Sequence, residues 1–196
     1  MPIDNSLNLI TVLPIVSAVI VYAARMSEVG ANRGTIPGKV VERGTLRWFV
    51  GIGSFMVVGA LAEFFWRGPT VHWPLFAAGW ACALASFGVR RAAISALRKF
   101  WSLHVEIREE HQFVRSEPFR WMRHPTYFSM VLELASAALL LNAPITAAVC
   151  LVFFVPALRQ RLKLEERALV EKFGSAYAQY QRSTPALFPY KWPSHL

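Results

Sequence analysis

The sequence predicts an all-α integral membrane protein with about five transmembrane helices, and three observations carry that reading. Of 196 residues, 55% are hydrophobic and only 17% are charged, a balance too apolar for an ordinary soluble domain. The apolar residues gather into five runs, and the basic residues gather into the loops between particular runs. The formal charge of +9 therefore reports membrane topology and not a nucleic-acid surface, because no single amphipathic face collects it.

The runs are Leu7 to Ala24, Leu46 to Trp66, Trp73 to Val89, Tyr127 to Leu141 and Ile145 to Leu158. At about 1.5 Å per helical residue, the first three reach across a hydrocarbon core of about 30 Å, the third with little margin. The last two are shorter and are joined by Asn142-Ala143-Pro144, so they read as a helical hairpin whose outer ends continue beyond the lipid. Pro14 and Pro156 are placed to kink their helices. The chain thus divides into three N-terminal spans over residues 1–89 and a C-terminal region over residues 90–196 that contains the hairpin, 127–158.

Orientation follows from the loops. Arg25, Arg33, Lys39, Arg43 and Arg47 lie between the first two runs, and Arg90, Arg91, Arg98 and Lys99 follow the third, whereas the turn from Arg67 to His72 holds one basic residue. The positive-inside rule then puts the N-terminus outside and the long loops and C-terminus in the cytoplasm. Met1-Pro2-Ile3-Asp4-Asn5 lacks the basic start of a cleavable signal, so the first run is expected to remain as an anchor. Cys82 and Cys150 have the spacing of neither a zinc site nor a disulfide framework and are expected to be small buried hydrophobes, with no metal bound.

The chemistry concentrates after residue 90. Phe100-Trp101-Ser102-Leu103-His104-Val105-Glu106-Ile107 and His111-Gln112-Phe113-Val114 alternate apolar and polar side chains, which predicts short extended pieces. Arg123-His124-Pro125-Thr126-Tyr127 opens the fourth run, while Arg161, Glu165 and Glu166 follow the fifth, so the hairpin returns both groups to one face. Arg161 and Glu165 are spaced i, i+4 and face the same way on a helix, a spacing that also describes an ordinary surface pair. The Arg-His-Pro-x-Tyr run likewise also describes a basic interfacial loop, a helix-opening Pro and an aromatic belt residue. Glu63, beside Trp66 and Arg67, is expected to be solvated at the interface. Phe173-Gly174 through Tyr180 and Pro185-Ala186-Leu187-Phe188-Pro189 are expected to cap and seal the site.

Taken in order, His111 to Val114, Ser116-Glu117-Pro118-Phe119, Arg123 to Tyr127, Arg161 to Glu166 and Phe173 to Tyr177 resemble the isoprenylcysteine carboxyl methyltransferase family over roughly the C-terminal half. The resemblance implies an integral membrane methyltransferase that uses S-adenosylmethionine, bound in a cytoplasmic pocket beside a tunnel open to lipid. Its substrate would be lipophilic and prenylcysteine-like, methylated on a carboxylate. Carried over by position, cofactor contacts fall on His104, His111, Gln112, Phe113, Val114, Phe119, His124, Pro125, Thr126, Tyr127 and Glu165, and Arg161 holds the substrate. The cofactor's ammonium and carboxylate are chemically suited to Glu165 and His124. A carboxylate acceptor is ionised near neutral pH and needs a cation such as Arg161 to orient it, not a base.

Three positions depart from the family pattern. Glu117 and Phe119 stand where Gly and Tyr are common, which restricts a turn and removes a hydroxyl. Glu133 lies within the fourth run, where the family tends to have a bulky aromatic and where a charge is costly. It is a second candidate catalytic residue, a base for a hydroxyl acceptor on a lipidic polyketide such as an alkylpyrone. The other reading of Glu133 is a carboxyl group that holds two helices together. A membrane sterol-type reductase with a similar C-terminal layout for NADPH is a competing enzyme class, although it calls for more basic residues around a phosphate. A non-catalytic membrane scaffold is the third reading, and oligomeric state is left open.

Overall fold

The computed structural model describes residues 9–30, 39–42, 44–98, 101, 105–107 and 114–192. Among the described residues there are six helices: α1 (Leu9–Gly30), α2 (Gly44–Trp66), α3 (Trp73–Leu97), α4 (Pro125–Leu140), α5 (Pro144–Phe173) and α6 (Ser175–Ser183). α1, α2 and α5 are long and apolar enough to cross a membrane, and α4 is a shorter apolar helix. α3 has the length, 25 residues, with a sequence diluted by glycine, serine and the pair Arg90-Arg91. Side chains such as Val58, Leu84 and Val152 are exposed, as lipid-facing residues should be.

The helices overrun the apolar runs. α1 continues past Ala24 to carry Arg25 and Glu28, α3 continues past Val89 to carry Arg90, and α5 continues past Leu158 for a further fifteen residues or so. Both Pro14 and Pro156 sit inside unbroken helices. One extended piece forms where alternation called for it: β2 (Val105–Ile107) pairs antiparallel with β1 (Lys39–Glu42), with an irregularity between Val40 and Glu42. The partner strand in the first basic loop has no comparable sequence signal. This ribbon is a small addition to an otherwise helical chain.

Packing is set by small residues. The buried residues of α3, Gly79, Ala83, Ser86, Arg90 and Ala93, recur every three or four positions and form one stripe, along which α4 lies. A Cβ on Gly79 would stand 2.8 Å from Leu140 Cγ and 2.9 Å from the Leu140 backbone nitrogen, so the approach requires glycine. α2 pairs with α5, and Gly59 faces Thr146 in the same way. Phe49, Met56, Phe64, Tyr127, Leu141 and Phe154 fill the core between α2, α4 and α5. Cys150 is buried as expected, whereas Cys82 is only half-buried, and both are free thiols.

Glu63 corrects a sequence reading. It is buried, not solvated, and caps α5: its carboxylate accepts from the backbone nitrogens of Ile145 (3.1 Å) and Thr146 (2.7 Å) and from Thr146 Oγ1 (2.8 Å). These are the orphan amides of a helix N-terminus, for which an anion is the favoured partner. Arg67 supports it at 3.5 Å and donates to the Asn142 carbonyl at 2.9 Å, fastening the hairpin turn. The signal available in sequence was the Pro144 helix start, but nothing in sequence says that α2 ends beside it.

Candidate functional site

Pro125 opens α4 at a position where its missing amide costs nothing, and His124 immediately precedes it. The backbone amides of Arg123 and His124 donate to the carbonyls of Pro185 (2.9 Å) and Ala186 (3.0 Å), so the C-terminal strap is paired to the start of α4. The Arg123 guanidinium meets Glu166 Oε1 at 2.6 Å and also donates to the carbonyls of Gln181 and Thr184. One arginine therefore ties α5, α6 and the strap together.

On this frame the hairpin's two polar ends meet. Tyr127, one turn into α4, donates its hydroxyl hydrogen bond to Glu165 Oε2 and accepts one from Arg161 Nε at 2.7 Å. Arg161, 3% exposed, also donates to Thr45 Oγ1 at 2.6 Å, and its guanidinium lies 5.7 Å from the centre of the Tyr127 ring and 5.8 Å from that of Phe49. The His124 imidazole stacks on Tyr127 and stands between two carboxylates, Nε2 at 3.0 Å from Glu166 and Nδ1 at 3.6 Å from Glu165. Burial alone would lower the His124 pKa, but the hydrogen bonds and charges of Glu165 and Glu166 outweigh it and hold the group above its ordinary value. In α6, burial pushes the Tyr177 and Tyr180 hydroxyls well above the usual phenol range, and Tyr180 donates to the Phe119 carbonyl.

Of the residues expected from sequence, His124, Tyr127, Arg161 and Glu165 are brought into one connected group, with Pro125 buried beneath it. Phe119 is buried and is held through its carbonyl, while Thr126 and Val114 are half-buried at the edge. His104, His111, Gln112 and Phe113 lie outside the described residues. Glu133 stands apart, six residues along α4 from Tyr127, which is about 9 Å of helix. Its carboxylate accepts from Arg90 at 2.8 Å, Ser86 at 3.1 Å and Arg25 at 3.2 Å.

Four further participants were not singled out as contacts. Glu166 and Arg123 belong to quoted runs, but adjacent helical residues point about 100° apart, and only the imidazole between Glu165 and Glu166 lets both serve one site. Thr45 and Phe49, on α2, carry no local signal at all; they join the site through tertiary packing.

The donor set fits S-adenosylmethionine. That molecule is a net cation with an ammonium and a carboxylate at its methionine end, and here two carboxylates, their side chains 28% and 21% exposed, rise from a group that is otherwise nearly closed. Glu165 and Glu166 would face the ammonium and sulfonium charges, with His124 held between them and Arg123 bracing Glu166. Among the described residues no cluster suited to a metal ion is present.

Residues 79–171 match the model of the isoprenylcysteine carboxyl methyltransferase family. The protein YpbQ of Bacillus subtilis (strain 168) is 30% identical over 83 residues, 42% of this chain and 49% of that protein. Protein-S-isoprenylcysteine O-methyltransferase B of Arabidopsis thaliana is 26% identical over 128 residues, 64% of this chain and 65% of the plant protein. Methanethiol S-methyltransferase of Crocosphaera subtropica (strain ATCC 51142 / BH68) is 28% identical over 127 residues, 63% of this chain and 48% of its own. The match to the Bacillus protein thus spans about half of that relative's length.

Proposed function

Because the segment 79–171 belongs to the isoprenylcysteine carboxyl methyltransferase family, we propose that this chain is an S-adenosylmethionine-dependent membrane O-methyltransferase acting on a carboxylate of a lipophilic, prenylcysteine-like substrate. One observation carries the reading. Arg161 and Glu165, one helical turn apart, grip the same Tyr127 hydroxyl from opposite sides, the arginine donating to it and the carboxylate accepting from it. A cation suited to an anionic acceptor is thereby fixed beside an anion suited to a cationic methyl donor.

Little else is required of the side chains. When bound, S-adenosylmethionine supplies a methyl group already made electrophilic by its sulfonium. Arg161 orients the acceptor carboxylate, Tyr127 holds Arg161 and Glu165 in fixed relation, and the buried rings of Phe49 and Tyr127 keep water from the reacting oxygen. His124, its pKa raised by its two glutamates, stands between them and fixes their positions beside the cofactor. The basic loops support a site on the cytoplasmic side, with the N-terminus outside.

The test is binding and transfer in lipid nanodiscs. Calorimetry with S-adenosylhomocysteine should show saturable binding that Glu165→Gln weakens, and labelled methyl should appear as base-labile ester on a prenylcysteine. Binding of NADPH in place of S-adenosylhomocysteine would move the chain to the reductase class. Ether products on hydroxylated lipids, without esters, would replace the carboxylate by a hydroxyl as acceptor.

A further inference from the structure

Glu133 and Arg25 lie outside the group just described, yet both face a cleft that adjoins it. The cleft runs between α1, α2 and α4 and has Phe154 of α5 in its wall. It includes Phe49, the ring beneath the Arg161 guanidinium, and continues past Met56 to Leu140. Its lining is mainly apolar, and its charged residues are Arg25 and Glu133.

The two oxygens of Glu133 have different surroundings. Oε1 accepts from Arg90 and from Ser86, both on α3. Oε2 accepts from Arg25 Nε alone among the described residues, at 3.2 Å, which leaves acceptor capacity on that oxygen. Both residues line the cleft, and their side chains keep 16% (Glu133) and 11% (Arg25) of their surface exposed. Charge decides what can fill it. Arg25, Glu28, Arg90 and Glu133 form one cluster with contacts of 2.8 to 3.6 Å, two positive and two negative, so its net charge is zero. An ion brought there would find no compensating charge, whereas a neutral hydroxyl would find a charged acceptor in apolar surroundings.

We propose that the Arg25–Glu133 pair is a recognition station for a neutral hydroxyl carried part-way along the substrate chain, so that the preferred acceptor is an oxygenated lipid. The station lies about 9 Å of helix from Tyr127, with further apolar wall beyond it at Ala137 and Leu140 for the tail. Glu133 is then a specificity residue, touching the body of the substrate instead of the reacting atoms. The inference rests on the methyl-transfer reading only for which end of the substrate lies at Arg161.

Two radiolabelled probes distinguish the possibilities: N-acetyl-S-farnesylcysteine and its analogue bearing a hydroxyl on the second isoprene unit. Equilibrium binding and methyl transfer are measured for both in nanodiscs. The hydroxylated probe should bind at least about tenfold more tightly, the lower end for a hydrogen bond to a charged group. Glu133→Gln should bring the ratio towards parity while S-adenosylhomocysteine still binds. Should that variant fail to fold, Glu133→Asp, which withdraws the carboxylate by one methylene, must lower the same ratio. Equal binding of the probes by the wild type, or a preference that survives both substitutions, overturns the proposal, as does failure of the hydroxylated probe to bind. A purely structural ion pair would lower stability and leave the ratio unmoved. If the hydroxylated probe binds preferentially and neither is methylated, the carboxylate-acceptor reading falls and the recognition station stands.

Discussion

Arg161→Lys separates acceptor binding from donor binding without removing the charge. The arginine uses two arms of its planar fork, Nε to Tyr127 and Nη1 to Thr45 at 2.7 and 2.6 Å, while its guanidinium lies near the faces of two adjoining aromatic rings. A lysine ammonium in the same space cannot reproduce both directions, so at least one charge-assisted hydrogen bond is lost, worth about 1.5–3 kcal/mol. Expressed in the transition state, that is a fall in kcat/KM for the acceptor of about 10- to 150-fold. Glu165 and Glu166 keep His124 in the variant, and Glu166 keeps Arg123, so the affinity for S-adenosylhomocysteine should change far less. Methyl transfer at varied acceptor concentration, paired with calorimetry of the cofactor product, reads both quantities. Parallel loss of the two, or an acceptor kcat/KM that does not move, would refute the assignment of Arg161 to the acceptor.

Three other substitutions follow from the packing and the charge. Glu63→Ala strips the cap from α5 and should cost at least about 0.5–2 kcal/mol, lowering the Tm in detergent by several degrees; an unchanged Tm would mean the cap contributes nothing. Gly79→Ala sets a Cβ against the Leu140 backbone and should destabilise by about 1–3 kcal/mol; Leu140→Ala should rescue it only in part, since the backbone nitrogen remains at 2.9 Å. Full rescue would show that the side chain alone sets the approach. The raised pKa of His124 makes its pairing with Glu165 and Glu166 fully stabilising below the unfolded value of about 6.5, with that contribution lost as pH rises through the folded value. Wild-type Tm should therefore fall on the alkaline side, and His124→Gln should flatten that part of the profile.

Helix placement was legible because lipid imposes a strong rule: each span must be apolar over most of its length, and the five runs mark α1 to α5, three of which are long and apolar enough to cross a membrane. The limits of the helices were not legible, since Arg25, Arg90 and Arg159 end an apolar run without ending a helix. Arginine is a good helix former, and its charge can be matched by a glutamate from another element; sequence shows the charge and not the match. His124, Tyr127, Arg161 and Glu165 could be read as one site because the Asn142-Ala143-Pro144 turn fixes which ends meet. Thr45 could not, because it reaches Arg161 from a helix more than a hundred residues earlier. Glu63 shows the same difficulty in reverse: an acid near a helix end looks solvated until the N-terminus that it caps is known.

The distribution of polar contacts also explains how such a site can be held still in lipid. Helices in a bilayer gain little from hiding apolar surface from one another, since lipid is equally apolar; close packing and polar contacts must hold them. Here the middle of the bundle is joined by the small-residue stripe of α3 on α4, and the α4–α5 turn is joined by Glu63 and Arg67. Away from that turn, two separate clusters fasten the helices: Arg25, Glu28, Arg90 and Glu133 across α1, α3 and α4, and Arg123, His124, Arg161, Glu165 and Glu166 across the start of α4 and the polar part of α5. α4 belongs to both, with Tyr127 in one and Glu133 in the other. A substrate lying along α4 would meet the two clusters in turn, so the contacts that keep the helices together also set the distance between the reacting end of the substrate and the point where its chain is read.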